Sequence, residues 1–367
     1  MVRFGIRNLL KDVALFLVVS LLELLIRARP AQIPSPVSRV LVLSYSGIGN
    51  LILGTVVFKP LKTAFPHATI DVLLPQAVQQ EIIRNGSLGD IYILPKSFLQ
   101  KLRLLARLRK RRYDVVLCLF PSGIFGALTA FLLGAPCRIG HPFHKGFGRL
   151  SSAFYSHPVQ LERKHDTLSN TDLLIPLGIE VRQPALDFQL SSDATRNADA
   201  FLRKHGLKNA VGMHPGSNAD QAWKRWDIDR FLALADALKK RGHSVLFFLG
   251  SGEEELAQPI LDAGYLCFRG QTLERTAALM RRCTLFVSND SALAHVAASQ
   301  KVKTFAIIGP TDERRTGPVN GVVVRLPLWC APCYSIYKPF NCINKKYLAC
   351  LRELEVSQVI DAIVHHD

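Results

Sequence analysis

The chain has 367 residues, 49% hydrophobic and 20% charged, which suits two packed cores and excludes a disordered polymer. Its 46 Lys and Arg against 29 Asp and Glu leave a formal charge of +17, which directs it to an anionic partner: nucleic acid, an anionic membrane or a phosphorylated glycolipid. No nucleic-acid-binding motif accompanies that charge, so the first of these is not expected.

Residues 1–38 read as a leader helix and linker. The apolar run at 13–22 is bounded by Lys11, Asp12 and Glu23, far short of the roughly 20 residues that span a bilayer. Arg3, Arg7 and Lys11 resemble the start of a signal peptide, but Glu23, Arg27 and Arg29 follow with no small-residue cleavage site. The expectation is a helix lying on the inner membrane face or packing on the body. Pro30, Pro34 and Pro36 end it.

Strand and helix patterns then alternate. The continuous apolar run at 39–45 predicts a buried parallel strand. The turn Ser46-Gly47-Ile48-Gly49-Asn50 leads into a helix over 51–65, and further strands are expected at 69–74, 91–94 and 114–120. Between 96 and 112 stand eight basic residues (Lys96, Lys101, Arg103, Arg107, Arg109, Lys110, Arg111, Arg112), no acidic one, and interleaved leucines. This predicts a helix with a basic face, either a solvated surface or a face for a membrane or acidic acceptor. A polar glycine-rich stretch at 140–149 precedes a helix near 166–177. The alternation restarts with strands at 210–214, 244–249, 284–288 and 303–308 and helices between them. The expected division is 39–190 for a first Rossmann-like domain, 191–327 for a second, and 328–367 for a Cys-rich tail and final helix. Two such doubly wound sheets imply an α/β protein with ligands at the carboxyl ends of its strands, in a cleft between the halves.

The chemistry-bearing residues stand at those strand ends. Gly47 and Gly49 let backbone approach a ligand, but the third glycine of a dinucleotide fingerprint is replaced by Ile52, which disfavours a dehydrogenase. In His214-Pro215-Gly216-Ser217-Asn218, Ser217 and Asn218 can donate hydrogen bonds, and Lys224 or Arg225 beyond them can neutralise phosphate. In Ser288-Asn289-Asp290-Ser291-Ala292-Leu293-Ala294-His295, Asp290 or Ser291 stands where a helix N-cap belongs, a position suited to pyrophosphate. Glu253 and Glu254 either accept ribose hydroxyls or complement a helix dipole. Gly309-Pro310-Thr311-Asp312 closes the set.

Taken in order, HPGSN…WKRW, FLGSGEEE and SNDSALAHVAA…IIGPTD resemble the bacterial heptosyltransferases of lipopolysaccharide synthesis, glycosyltransferase family 9, over about 39–311. The resemblance implies a GT-B fold and inverting transfer without an essential metal or other cofactor. It also implies an ADP-heptose-like nucleotide-diphosphate sugar held by the second domain. By it, Ser217 and Lys224 hold the donor's phosphates, Glu254 or Glu253 meets its ribose, and Asp290, Ser291, Ala292 and His295 form the family's D-[ST]-G-x-x-H-like segment. That family's loop after the first strand carries Asp as general base. Here the position is Asn50, and an amide cannot accept the proton. His165, Asp166 and His144 are the alternative bases. Ala292 replaces the usual glycine. The acceptor implied is an anionic cell-surface glycolipid, reached by a cytoplasmic protein peripheral on the inner membrane. Two rivals remain at this stage: a non-catalytic nucleotide-sugar binder or scaffold, motivated by Asn50, and a nucleotide-sugar epimerase.

Cys330-x2-Cys333-x8-Cys342-x7-Cys350 offers four thiolates that could hold a structural zinc, form disulfides, or simply pack reduced.

Overall fold

A computed structural model describes residues 32–84, 88–143, 151–334 and 340–366. The leader expected over 1–38 lies outside the described residues up to position 31, as does His144. The chain divides into two compact units, one running to Glu162 and resuming over Asp166–Ala185, the other formed by Arg163–His165 and Leu186 onward.

The first unit holds β1 Arg39–Leu43, α1 Ile48–Gly54, α2 Phe58–Ala64, β2 Thr69–Leu74, α3 Gln80–Ile83, β3 Ile91–Ile93, α4 Phe98–Lys110, β4 Val115–Cys118, α5 Gly123–Leu133, β5 Cys137–Gly140, α6 Ser151–Phe154, β6 His157–Pro158 and α7 Asp166–Asp172. Its six strands are parallel, in the order β3-β2-β1-β4-β5-β6. β1 is central because Val40 to Leu43 are all apolar and can be covered on both faces; each is wholly buried. Burying one such side chain contributes roughly 1.5–3 kcal/mol. The helix expected over 51–65 is broken into α1, a 3-10 turn at Thr55–Val57, and α2. The β-branched run Thr55, Val56, Val57 supplies the reason, with the Thr55 hydroxyl donating to the Ile52 carbonyl at 2.6 Å.

The second unit holds α8 Ser192–Lys204, β7 Ala210–His214, α9 Ile228–Lys240, β8 Ser244–Phe248, α10 Ala257–Asp262, β9 Leu266–Phe268, α11 Leu273–Met280, β10 Leu285–Asn289, α12 Ala292–Ser299, β11 Lys303–Ile307, α13 Glu313–Thr316, β12 Val322–Val324, α14 Ala349–Arg352 and α15 Val356–His366. Its sheet, also parallel, runs β12-β11-β10-β7-β8-β9. Counting strands within each unit, both sheets have the doubly wound order 3-2-1-4-5-6. Residues of the expected tail belong to this unit's core: Cys350, Leu351, Leu354, Val359 and Ile363 pack with Val211, Phe247, Val287 and Phe305. Among the described residues no helix is long and apolar enough to cross a membrane.

Candidate active site

In the second unit, polar side chains gather where the apolar strands end. β7 ends at His214, whose ring is buried between three elements. Its Nε2 lies 3.0 Å from Glu253 Oε2 and its Nδ1 lies 2.8 Å from Ser291 Oγ. Ser288 Oγ is 3.0 Å from Ser291 Oγ. Glu253 also accepts the Gly250 N–H at 2.7 Å. Burial alone would raise the Glu253 carboxyl, but the charge and hydrogen bond of His214 and the Gly250 amide outweigh it and hold it below its ordinary value. Gly216 is required here by close approach: a Cβ on it would stand 2.1 Å from Glu253 Oε1.

Asn289, buried at the end of β10, fastens the neighbouring loops. Its Oδ1 accepts the Trp226 N–H at 2.9 Å and its Nδ2 donates to the Pro215 carbonyl at 2.7 Å. This staple sets the position of Lys224. The Lys224 ammonium is 3.0 Å from Asp290 Oδ2, and both side chains are largely buried. It also lies over the rings of Trp223 and Tyr334. Trp223 in turn stacks on Phe340 at 4.2 Å, and the Cys333 and Tyr334 N–H groups donate to the Pro310 carbonyl. Tyr334, and Phe340 behind Trp223, therefore form one side of the Lys224 surroundings.

His295, inside α12, is 5% exposed. Burial pushes its imidazole down to about 4, opposed by Asp290 and reinforced by His165 and Lys224, so it is neutral near pH 7. Among the described residues, its Nδ1, Asp290 Oδ2 and Thr311 Oγ1 are buried with no hydrogen-bond partner. The Lys224–Asp290 contact is thus an ion pair by distance without hydrogen-bond geometry, and Asp290 retains an acceptor oxygen. Orphaned buried polar atoms at one set of strand ends point to a missing polar partner. Ser291 is at the N-cap position of α12 but makes no capping bond, because its hydroxyl is turned to His214. The helix start is left to face an anion with its dipole.

The remaining residues singled out by sequence divide clearly. Ser217 is buried, donates to the Gln221 carbonyl at 3.0 Å and accepts Arg225 Nε–H at 3.2 Å, so it braces the loop. Asn218 and Glu254 are exposed and Ala292 is half-buried. His165 packs with the second unit, its Nε2 3.0 Å from the Gly317 carbonyl, beside Arg163, whose guanidinium donates to Asp312 at 2.7 Å. Asp166 belongs to the first unit and is buried at the start of α7. The boundary between the two units thus falls between His165 and Asp166. Gly47 caps α1 with open space around it, and Asn50 is half-buried in the first turn of that helix. Sequence reasoning overlooked His214 as a site residue. Its signal was a polar residue ending an otherwise apolar strand.

The four C-terminal cysteines are free thiols, which corrects the disulfide alternative. The zinc expectation is also unmet: among the described residues no three His, Cys, Asp or Glu side chains are placed to hold a metal ion. Cys330 and Cys350 are instead buried, burial raises the Cys350 thiol to about 11, and Cys342 Sγ accepts the Leu348 N–H.

Two doubly wound units with an anion-ready cluster at the strand ends of the second define a glycosyltransferase of the GT-B fold. Residues 101–344 match glycosyltransferase family 9 (heptosyltransferase), and the chain belongs to that family. It is 28% identical over 341 residues to lipopolysaccharide heptosyltransferase 3 of Escherichia coli (strain K12), covering 87% of this chain and 96% of that protein. The crystal structure of the glycosyl transferase family 9 from Veillonella parvula DSM 2008 superimposes with a TM-score of 0.74 at 24% identity, over 92% of this chain and 100% of that one. E. coli ADP-heptose lps heptosyltransferase II superimposes with a TM-score of 0.69 at 21% identity, over 89% and 98% of the two chains. The match to the family begins after the loop that carries Asn50.

Proposed function

We propose that this protein transfers a heptose or closely similar sugar, with inversion, from an ADP-heptose-like donor to a lipopolysaccharide-type glycolipid at the inner face of the cytoplasmic membrane. The observation that carries the donor half is the buried Lys224–Asp290 pair with unpartnered His295 Nδ1 and Thr311 Oγ1 beside the uncapped start of α12. In this reading Lys224 and the first amides of α12 hold the diphosphate, Asn218 lies at the rim, Glu254 meets the ribose, and Ala292 leaves its N–H available. As the glycosidic bond to the nucleotide breaks, negative charge grows on the departing diphosphate, and the fixed ammonium and helix dipole stabilise it there. That role requires no metal. The acceptor hydroxyl enters along the Gly47–Asn50 loop of the first unit. Asn50 orients it, and His165 or Asp166 takes its proton. The similarity to lipopolysaccharide heptosyltransferase 3 and to ADP-heptose lps heptosyltransferase II supports heptose and lipopolysaccharide as the substrate classes.

Calorimetric titration with ADP and ADP-heptose tests the donor site. Lys224→Ala should weaken ADP binding roughly 10- to 100-fold, the worth of one charge-assisted contact. ADP affinity unchanged in that variant would remove the diphosphate from this cluster and overturn the reading.

A further inference from the structure

The first unit carries a surface that its core does not explain. Helices α4 and α5 pack side by side, tied near their C-terminal ends by Arg109 Nη1–H donating to the Leu132 carbonyl at 2.9 Å. Leu108 of α4 and Ala127, Ala130 and Leu133 of α5 turn inward, as core-facing residues do. Six large apolar side chains on the same helices stay in water. Phe98 and Phe125 are each 71% exposed, and Leu99, Leu102, Leu128 and Leu132 are exposed with them. Single exposed apolar residues are ordinary, but a group of six on two adjacent helices marks an interaction surface.

Charge decides the kind of partner. Neither helix contains an acidic residue, and Lys101, Arg103 and Lys110 lie on α4 among the leucines. The centre of a protein–protein interface is typically depleted of lysine. Two copies of this face in a symmetric dimer would also oppose like charges. Apolar side chains set among cations are the pattern of a helix seated in the headgroup region of an anionic bilayer. We propose that the α4–α5 face is a membrane-docking surface, with Phe98, Leu99 and Phe125 entering the acyl boundary and the basic side chains meeting lipid phosphates.

Position supports the assignment. α4 and α5 begin where β3 and β4 end, the same edge of the sheet at which the Gly47–Asn50 loop follows β1. Docking by this face brings the acceptor-side loop of the first unit toward the lipid surface. The inference rests on the proposed lipid-linked acceptor only for its biological use, because lipid binding needs neither donor nor turnover.

The test is co-sedimentation of the full chain with phosphatidylcholine vesicles and with vesicles rich in phosphatidylglycerol. Binding is expected to the anionic vesicles and to weaken with salt. The Phe98→Ser/Phe125→Ser double variant should lose roughly tenfold or more of that binding while keeping its melting temperature and ADP affinity. Lys101→Gln/Arg103→Gln should lose the preference for anionic lipid. Residues 1–31 remain in every chain, so the difference between chains reads this face alone. Vesicle binding by the double variant equal to that of the parent overturns the proposal. So does a parent dimer, seen by light scattering, that the double variant dissolves, because the face then belongs to a second copy. Sugar transfer to a detergent-dispersed acceptor without any vesicle binding would sink this inference and leave the proposed reaction standing.

Discussion

The contact between Gly216 and Glu253 shows how little room this site has. Gly216→Ala must move a buried carboxylate that His214 and Gly250 already hold. We expect a loss of about 1–3 kcal/mol by chemical denaturation, the usual cost of overpacking, with weakened ADP binding, because Ser291 is positioned through the same His214. His295 gives a pH signature. Its folded value of about 4 lies below the ordinary 6.5, so between those values the unfolded chain takes a proton that the folded chain refuses. Stability is therefore full above about pH 6.5 and declines as pH falls toward 4. Melting temperatures across that range should show the slope, and His295→Gln should reduce it. Glu253 and Glu254 illustrate what sequence could convey: both were eligible for a ribose, and only burial separates the one fixed to His214 from the one left in solvent.

Among elements, the central strands were legible and most edge strands were not, although the short edge strand β3 was expected at 91–94 and is found at Ile91–Ile93. β1, β2, β7, β8, β10 and β11 announce themselves as apolar runs flanked by glycine or polar residues. β6, β9 and β12 have two or three residues each. Their pairing partners, not their own composition, make them strands. The break between α1 and α2 escaped because a continuous helical pattern conceals a local 3-10 turn. The cysteine spacing suggested a metal, yet Cys350 packs into the second unit's core, which a spacing cannot reveal. Asn50 belongs to α1, an element of the first unit, whereas the proposed diphosphate site lies in the second. Asn50→Ala should therefore lower kcat/KM for the glycolipid acceptor while leaving ADP affinity within about twofold, a change of a few tenths of a kcal/mol. Steady-state kinetics alongside calorimetry checks this.

For the whole molecule, two sheets of identical strand order carry different burdens. The first presents a glycine-bearing loop and an apolar, basic face. The second concentrates paired charges, a neutral buried histidine and an uncapped helix start. In the sequence, the motifs with anion-compatible chemistry cluster after residue 210. The sequence could not show that α15 belongs to the second unit's core. Val359 and Ile363 of α15 are buried there almost completely.

That last feature bears on when each unit can fold during synthesis. The first unit is fully synthesised once Ala185 has been added, and can condense while translation continues. The second lacks part of its interior until the codons for α15 have been read. A stop codon after Glu355 should leave a protease-resistant amino-terminal half joined to a cleavable remainder, read by limited proteolysis of nascent chains. Even a late premature stop would then be a null allele.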